Sequence, residues 1–91
     1  MPSFYIQKFI QKEVFPMNNK RRDLLRDAID LVSKAQIKVE SARDQEQECF
    51  DNLPENLKDY DKGIVMEEAI DALDDAIDSL EKSVEYINKA I

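Results

Sequence analysis

The chain reads as an all-α protein: an antiparallel, coiled-coil-like two-helix hairpin that pairs into a four-helix bundle. Three observations predict this. Two long segments carry apolar residues at alternating spacings of three and four, the signature of helices packed side by side. Pro54 stands between them, in a connector so short that neighbouring antiparallel helices are the simplest solution. Neither long segment shows the period-two alternation of a strand, and the whole chain has a single glycine.

Residues 1–16, MPSFYIQKFIQKEVFP, differ in character from the rest of the chain: they are aromatic-rich, nearly uncharged and end on a proline. Lys12-Glu13-Val14 can be encoded as AAG-GAG-GTN, which contains a bacterial ribosome-binding sequence. The codons of Phe15 and Pro16 then supply a normal spacer before the codon of Met17. One reading therefore starts translation at Met17. The other makes the head an amphipathic helix whose Phe4, Ile6, Phe9 and Ile10 dock on the bundle or on a membrane surface. Residues 17–91 form the hairpin in either case.

The first helix is expected from about Lys20 to Asp51. Its seam is Leu25, Ala28, Val32, Ala35, Val39, Ala42, Cys49 and Leu53, interrupted only by Glu46. Pro54 disfavours a helical Leu53 and removes an amide hydrogen, so this helix ends near Asp51 or Asn52. The connector spans about 52–62, and Pro54 opens a single turn through Leu57. Asp59 or Asp61 is the expected cap of the second helix. That helix carries an unbroken seam: Met66, Ile70, Leu73, Ile77, Leu80, Val84, Ile87 and Ile91. At ~1.5 Å per residue each helix is about 40 to 50 Å long.

Alanine recurs at 28, 35, 42, 69, 76 and 90, where a larger residue would hold the helix axes further apart. Apolar residues also flank the seams: Leu24, Ile29, Leu31, Ile37 and Phe50 on the first helix, Ile64, Val65 and Tyr86 on the second. Two helices cannot cover all of these. At roughly 25 cal/mol per Å² a lone hairpin hardly offsets the entropy of ordering its backbone. Self-association, most simply as a homodimer, is the expectation, with capture by another protein as the alternative.

Composition excludes several functions. With no histidine, Cys-His and Ser-His nucleophilic systems and His-containing zinc or di-iron sites are unavailable, so the chain is expected to be no enzyme. One glycine, Gly63, cannot build a phosphate-cradling GxxxxGKS or GxGxxG loop. Neither a cofactor nor a metal is expected. Twenty acidic residues against thirteen basic ones give a net charge of −7, which repels a nucleic-acid backbone, so no direct nucleic-acid partner is expected. Cys49 has no partner for an internal disulfide, and no stretch approaches the ~20 apolar residues of a membrane span. Cytoplasmic localisation is the default expectation.

Charge is divided unequally between the helices. Residues 17–50 balance seven basic against seven acidic side chains, with Lys20, Arg21, Arg22 and Arg26 forming a basic end. From 61 to 91 there are nine acidic and three basic residues. Glu67, Glu68, Asp71, Asp74, Asp75, Asp78 and Glu81 form an acidic outer face. Glu81 and Glu85 are expected to meet the basic end at ~0 to 1 kcal/mol per exposed pair. The acidic face reads either as a solubilising surface or as a mimic of nucleic-acid phosphates that fills a basic groove. Glu46, with the connector residues Asn52, Pro54, Glu55 and Asn56, completes the candidate interaction residues. Glu46 either reaches solvent or bonds the connector and the first amides of the second helix. Cys49 is expected to be a small packed residue.

Four stretches carry a resemblance: Arg21-Arg22-Asp23-Leu24-Leu25, Asp44-Gln45-Glu46-Gln47-Glu48, Asn52-Leu53-Pro54-Glu55-Asn56-Leu57 and Met66-Glu67-Glu68-Ala69-Ile70-Asp71-Ala72-Leu73. In that order they resemble an uncharacterised family of small acidic helical-hairpin proteins of Firmicutes and their phages. The likeness covers residues 17–91 and is most specific from Asp44 to Leu57. It implies a start near Met17, and no function comes with it. The chain departs from the pattern at Lys58-Asp59-Tyr60-Asp61-Lys62-Gly63, where the family has a serine-containing start to the second helix. Three functions are thus in view: a self-associating interaction or adaptor protein, an acidic inhibitor of a nucleic-acid-handling protein, and a nucleotide binder that uses Lys20, Arg21 and Arg22 at the oligomer interface.

Overall fold

The computed structural model describes residues 17–91, so the head lies outside the described residues. Helix α1 runs Asn19–Asp51 and helix α2 runs Asp61–Ala90, joined by a 3₁₀ turn at Glu55–Leu57. The two helices double back and pack along their length, forming a helical hairpin. No strand occurs among the described residues.

α1 begins where Asn18 accepts a hydrogen bond at Oδ1 from the Arg21 amide, 2.9 Å away, and satisfies one of the helix's orphan donors. It ends at Asn52, whose amide reaches the Glu48 carbonyl; the Leu53 amide then donates to the Phe50 carbonyl, and Pro54 removes the donor that would follow. The proline then starts the turn as expected: its carbonyl accepts from the Leu57 amide at 2.8 Å. Lys58 ties this turn to α1. Its ammonium lies 5.5 Å from the centre of the Phe50 ring and 3.2 Å from Glu55.

α2 is not capped by an aspartate. Tyr60 occupies the cap with no side-chain hydrogen bond, and its carbonyl receives the Ile64 amide at 3.0 Å. Asp61 is the first helical residue, where its charge complements the positive end of the helix dipole instead. The connector is therefore 52–60. It crosses the first turn of α2 so closely that only glycine fits there. A Cβ on Gly63 would stand 2.6 Å from the Lys58 carbonyl carbon and 2.8 Å from its Cα. Gly63 is buried, and no described glycine has a positive φ, so close approach and not backbone freedom requires it.

The core is thin. All eight seam positions of α2 turn inward, but among the described residues only Met66, at 9% exposure, and Ile70, at 6%, are buried apolar side chains. The seam of α1 differs from the expected one. Leu25, Val32, Val39 and Leu53 are half-buried as predicted, whereas Ala35, Ala42 and Cys49 are exposed. Their places are taken by Gln36, Arg43 and Phe50, each one residue further along, and Ile29 joins Ala28 among the half-buried residues. Both stripes alternate by four and three, so either can face a partner. The one that buries Ile29 and Phe50 removes more apolar area from water than one built of alanines and a cysteine. Of the recurring alanines, 28, 69 and 76 are half-buried, and 35, 42 and 90 are exposed.

Gly63→Ala tests the close approach. Alanine would favour the helix by ~1 kcal/mol, yet displacing the connector should destabilise the hairpin by about 1–3 kcal/mol net. Urea unfolding followed by circular dichroism should show a lower midpoint, and an unchanged or higher midpoint would contradict the packing at Gly63.

Candidate functional site

Two bonds between the helices define the register and the sidedness of the hairpin. Gln36 Nε2 donates to Glu81 at 3.5 Å, and seven residues on, Arg43 Nε donates to Asp74 at 2.7 Å. The Asp74 hydrogen bond, with its negative charge, raises the Arg43 pKa above its ordinary value against a smaller opposing effect of desolvation. Because the helices are antiparallel, the flanks that carry these bonds share one broad face of the hairpin. The opposite flanks share the other.

That other face is nearly free of charge. From α1 it takes Ala28, Ala35, Ala42 and Cys49 as an inner row, with Leu24, Leu31, Lys38 and Gln45 along the rim. From α2 it takes Ala69, Ala76, Ser83 and Ala90, with Val65, Ala72, Ser79 and Tyr86 beside them. Each row repeats every seven residues, which keeps it on one side of a helix. Leu24, Leu31, Val65 and Tyr86 are between 61% and 67% exposed. Lys38 is the only charged residue of the sixteen. The two serines are already satisfied: Ser79 Oγ donates to the Asp75 carbonyl and Ser83 Oγ to the Ser79 carbonyl, both at 3.0 Å. Covering them would strand no hydroxyl donor.

The acidic residues occupy the rest of α2. Glu67, Asp74 and Glu81 lie toward the Arg43 side, and Glu68, Asp71, Asp75 and Asp78 lie on the outer edge, all of them exposed. Among the described residues only Asp74 of these seven forms an ion pair. Asp71 and Asp75, and Asp74 and Asp78, are like charges one helical turn apart.

The basic end does not meet Glu81 and Glu85 as expected. Glu81 faces Gln36, and in the same register Arg26 comes level with Ile91. Lys20, Arg21 and Arg22 therefore lie beyond the last residue of α2, and Arg26 pairs locally with Asp23 at 2.9 Å. α1 has no acid in its first turn, so these cations sit unfavourably at the positive end of its dipole.

At the connector, Glu46 is half-buried, with no hydrogen bond to the connector or to the first α2 amides among the described residues. Asn52, Pro54, Glu55 and Asn56 are exposed. A shallow hollow of about 130 Å³ lies nearby, floored by Phe50 and Ile70 and rimmed by Gln47, Glu67 and Asp71. A wider groove of about 530 Å³ runs along α1 beside Ile37, Glu40 and Asp44. Neither is lined by the basic end. Cys49 is exposed, which corrects the expectation that it is packed. No three side chains among the described residues converge as metal ligands, and no described helix is long and apolar enough to cross a membrane.

Comparison with protein-family models, with curated proteins and with solved structures finds no match to the chain.

The acidic edge carries a test of its own. Like charges one turn apart cost about 0.2–0.5 kcal/mol per pair, so Asp75→Asn should raise the melting temperature at low ionic strength. The difference from the parent chain should close in roughly 1 M NaCl, where screening extends over only ~3 Å. A melting temperature lowered by the substitution would mean that Asp75 has an attractive partner.

Proposed function

We propose that this chain is a non-enzymatic helical interaction protein that works as a self-associated bundle, an assembly or adaptor module built from paired hairpins. The supporting observation is the mismatch between buried and exposed apolar side chains. Among the described residues Met66 and Ile70 are the buried apolar side chains, while Leu24, Leu31, Val65 and Tyr86 remain largely in water on one side of the hairpin. A single layer of two helices has no further surface with which to cover them. The absence of histidine from the chain supports the non-enzymatic part of the reading.

The acidic-mimic and nucleotide-binding readings have weaker support. The carboxylates of α2 are solvated along an open edge, and Lys20, Arg21 and Arg22 adjoin neither described hollow. Both readings rest on charge alone, whereas self-association is supported by an arrangement of side chains. Specificity for a further partner would lie in the exposed connector and in the acidic edge that pairing leaves uncovered.

Sedimentation equilibrium of the full chain at micromolar concentration should return twice the chain mass. Ala72→Glu, which places a carboxylate on the charge-poor face, should shift the equilibrium toward the monomer and lower the urea midpoint at the same protein concentration. A parent chain that sediments as a monomer across the accessible concentration range would contradict the proposal.

A further inference from the structure

The broad face without acids points to a particular pairing, and we infer that α1 of one hairpin lies on α2 of a second copy, with the two-fold axis parallel to the helices. This pairing presupposes the self-association proposed above and adds its face, orientation and register.

The size of the face suits a second copy. α2 is 30 residues long, or about 45 Å, and two helices side by side are ~20 Å wide. Covering that face buries on the order of 800–900 Å² per copy, the area of a standard stable interface. The polar groups within it suit burial too. The serine hydroxyls are bonded to their own backbone, and Lys38 stands on the rim, where its ammonium can stay in water. Small side chains along the inner rows allow close approach of the helix axes.

Charge selects the orientation. Between residues 19 and 51, α1 carries seven basic and eight acidic side chains; between 61 and 90, α2 carries nine acidic and three basic ones. A two-fold axis perpendicular to the helices would stack α1 on α1 and α2 on α2, bringing two strongly negative helices together. An axis parallel to the helices stacks each nearly neutral α1 on a negative α2, and every neighbouring pair in the resulting bundle is antiparallel.

The register follows from the hairpin itself, because rotation about an axis along the helices leaves every level unchanged. Gln36 is level with Glu81 and Arg43 with Asp74 within one hairpin. Cys49 therefore lies beside the partner's Ala69, Ala42 beside the partner's Ala76, and Ala35 beside the partner's Ser83. In the perpendicular arrangement Cys49 would instead lie near residue 28 of the partner.

Cysteine pairing distinguishes the two. A disulfide needs Cα atoms within about 7 Å, and Cys49 is native to the chain. Two variants of the full chain, Ala69→Cys and Ala28→Cys, each add one thiol, and each is oxidised with diamide after light scattering and circular dichroism have recorded mass and helicity. The proposed pairing predicts a covalent dimer on a non-reducing gel from Ala69→Cys and none from Ala28→Cys. In the latter, positions 28 and 49 of one chain are ~31 Å apart along α1 and cannot close internally. A covalent dimer from Ala28→Cys overturns the orientation. A non-covalent dimer that links in neither variant, or that closes Ala69→Cys only within a chain, overturns the face. A monomer that dimerises only after removal of residues 1–16 gives the face to that segment and overturns the pairing. A monomer with or without residues 1–16 refutes the self-association on which the pairing depends.

Discussion

Two helices share one line of contact, and this chain carries apolar and small residues over an arc wider than that line covers. The constraint is geometric. On α2 the inward row from Met66 to Ile91 satisfies the hairpin, yet the row from Val65 through Ala72 to Tyr86 lies on another side and contains no charge. On α1 the same division separates Leu25, Val32 and Val39 from Leu24 and Leu31. A pair of helices can bury one of these sets, and the other has to be covered from outside or left in water. The proposed function rests on that uncovered set, with a second hairpin as the surface that would cover it.

The polar members of the α1 seam fit this picture. Gln36 and Arg43 occupy inward positions where apolar residues would strengthen a two-helix core, and each reaches a carboxylate of α2. Polar residues at such positions give up stability, and Arg43 is accepted there because Asp74 pairs with its half-buried guanidinium. The two bonds lie seven residues apart on both helices and mark the alignment that the short connector allows. That alignment carries the basic start of α1 past the end of α2 and leaves most of the acidic edge without partners.

Much of the fold was legible in the sequence, and the misreadings have physical causes. The α2 seam could be read because only one alternation of three and four there is apolar throughout. α1 offers two such alternations that share Leu25, Val32, Val39 and Glu46 and differ in which flank completes them. Counting small residues as apolar favoured Ala28, Ala35, Ala42 and Cys49. The structure favours Ile29 and Phe50, whose larger side chains bury more area, and accepts Gln36 and Arg43 because α2 supplies partners for them. The cap of α2 was not legible, since the backbone of Tyr60 serves where an aspartate side chain was expected. The role of Gly63 was not legible either, because it depends on Lys58 crossing the helix start. The charge-poor face is written in the sequence as a second set of heptad rows. Knowing that its two halves lie on the same side required the Arg43–Asp74 bond.

In the proposed bundle, each hairpin derives much of its stability from contact with another copy. Unfolding by urea at two protein concentrations tests this most directly, because mass action stabilises an associated native state and leaves a monomer unaffected. A hundredfold increase in concentration should stabilise a dimer by about 2.7 kcal/mol and move the midpoint to higher urea. Superimposable transitions at both concentrations would show that each hairpin stands alone and would contradict the proposed bundle.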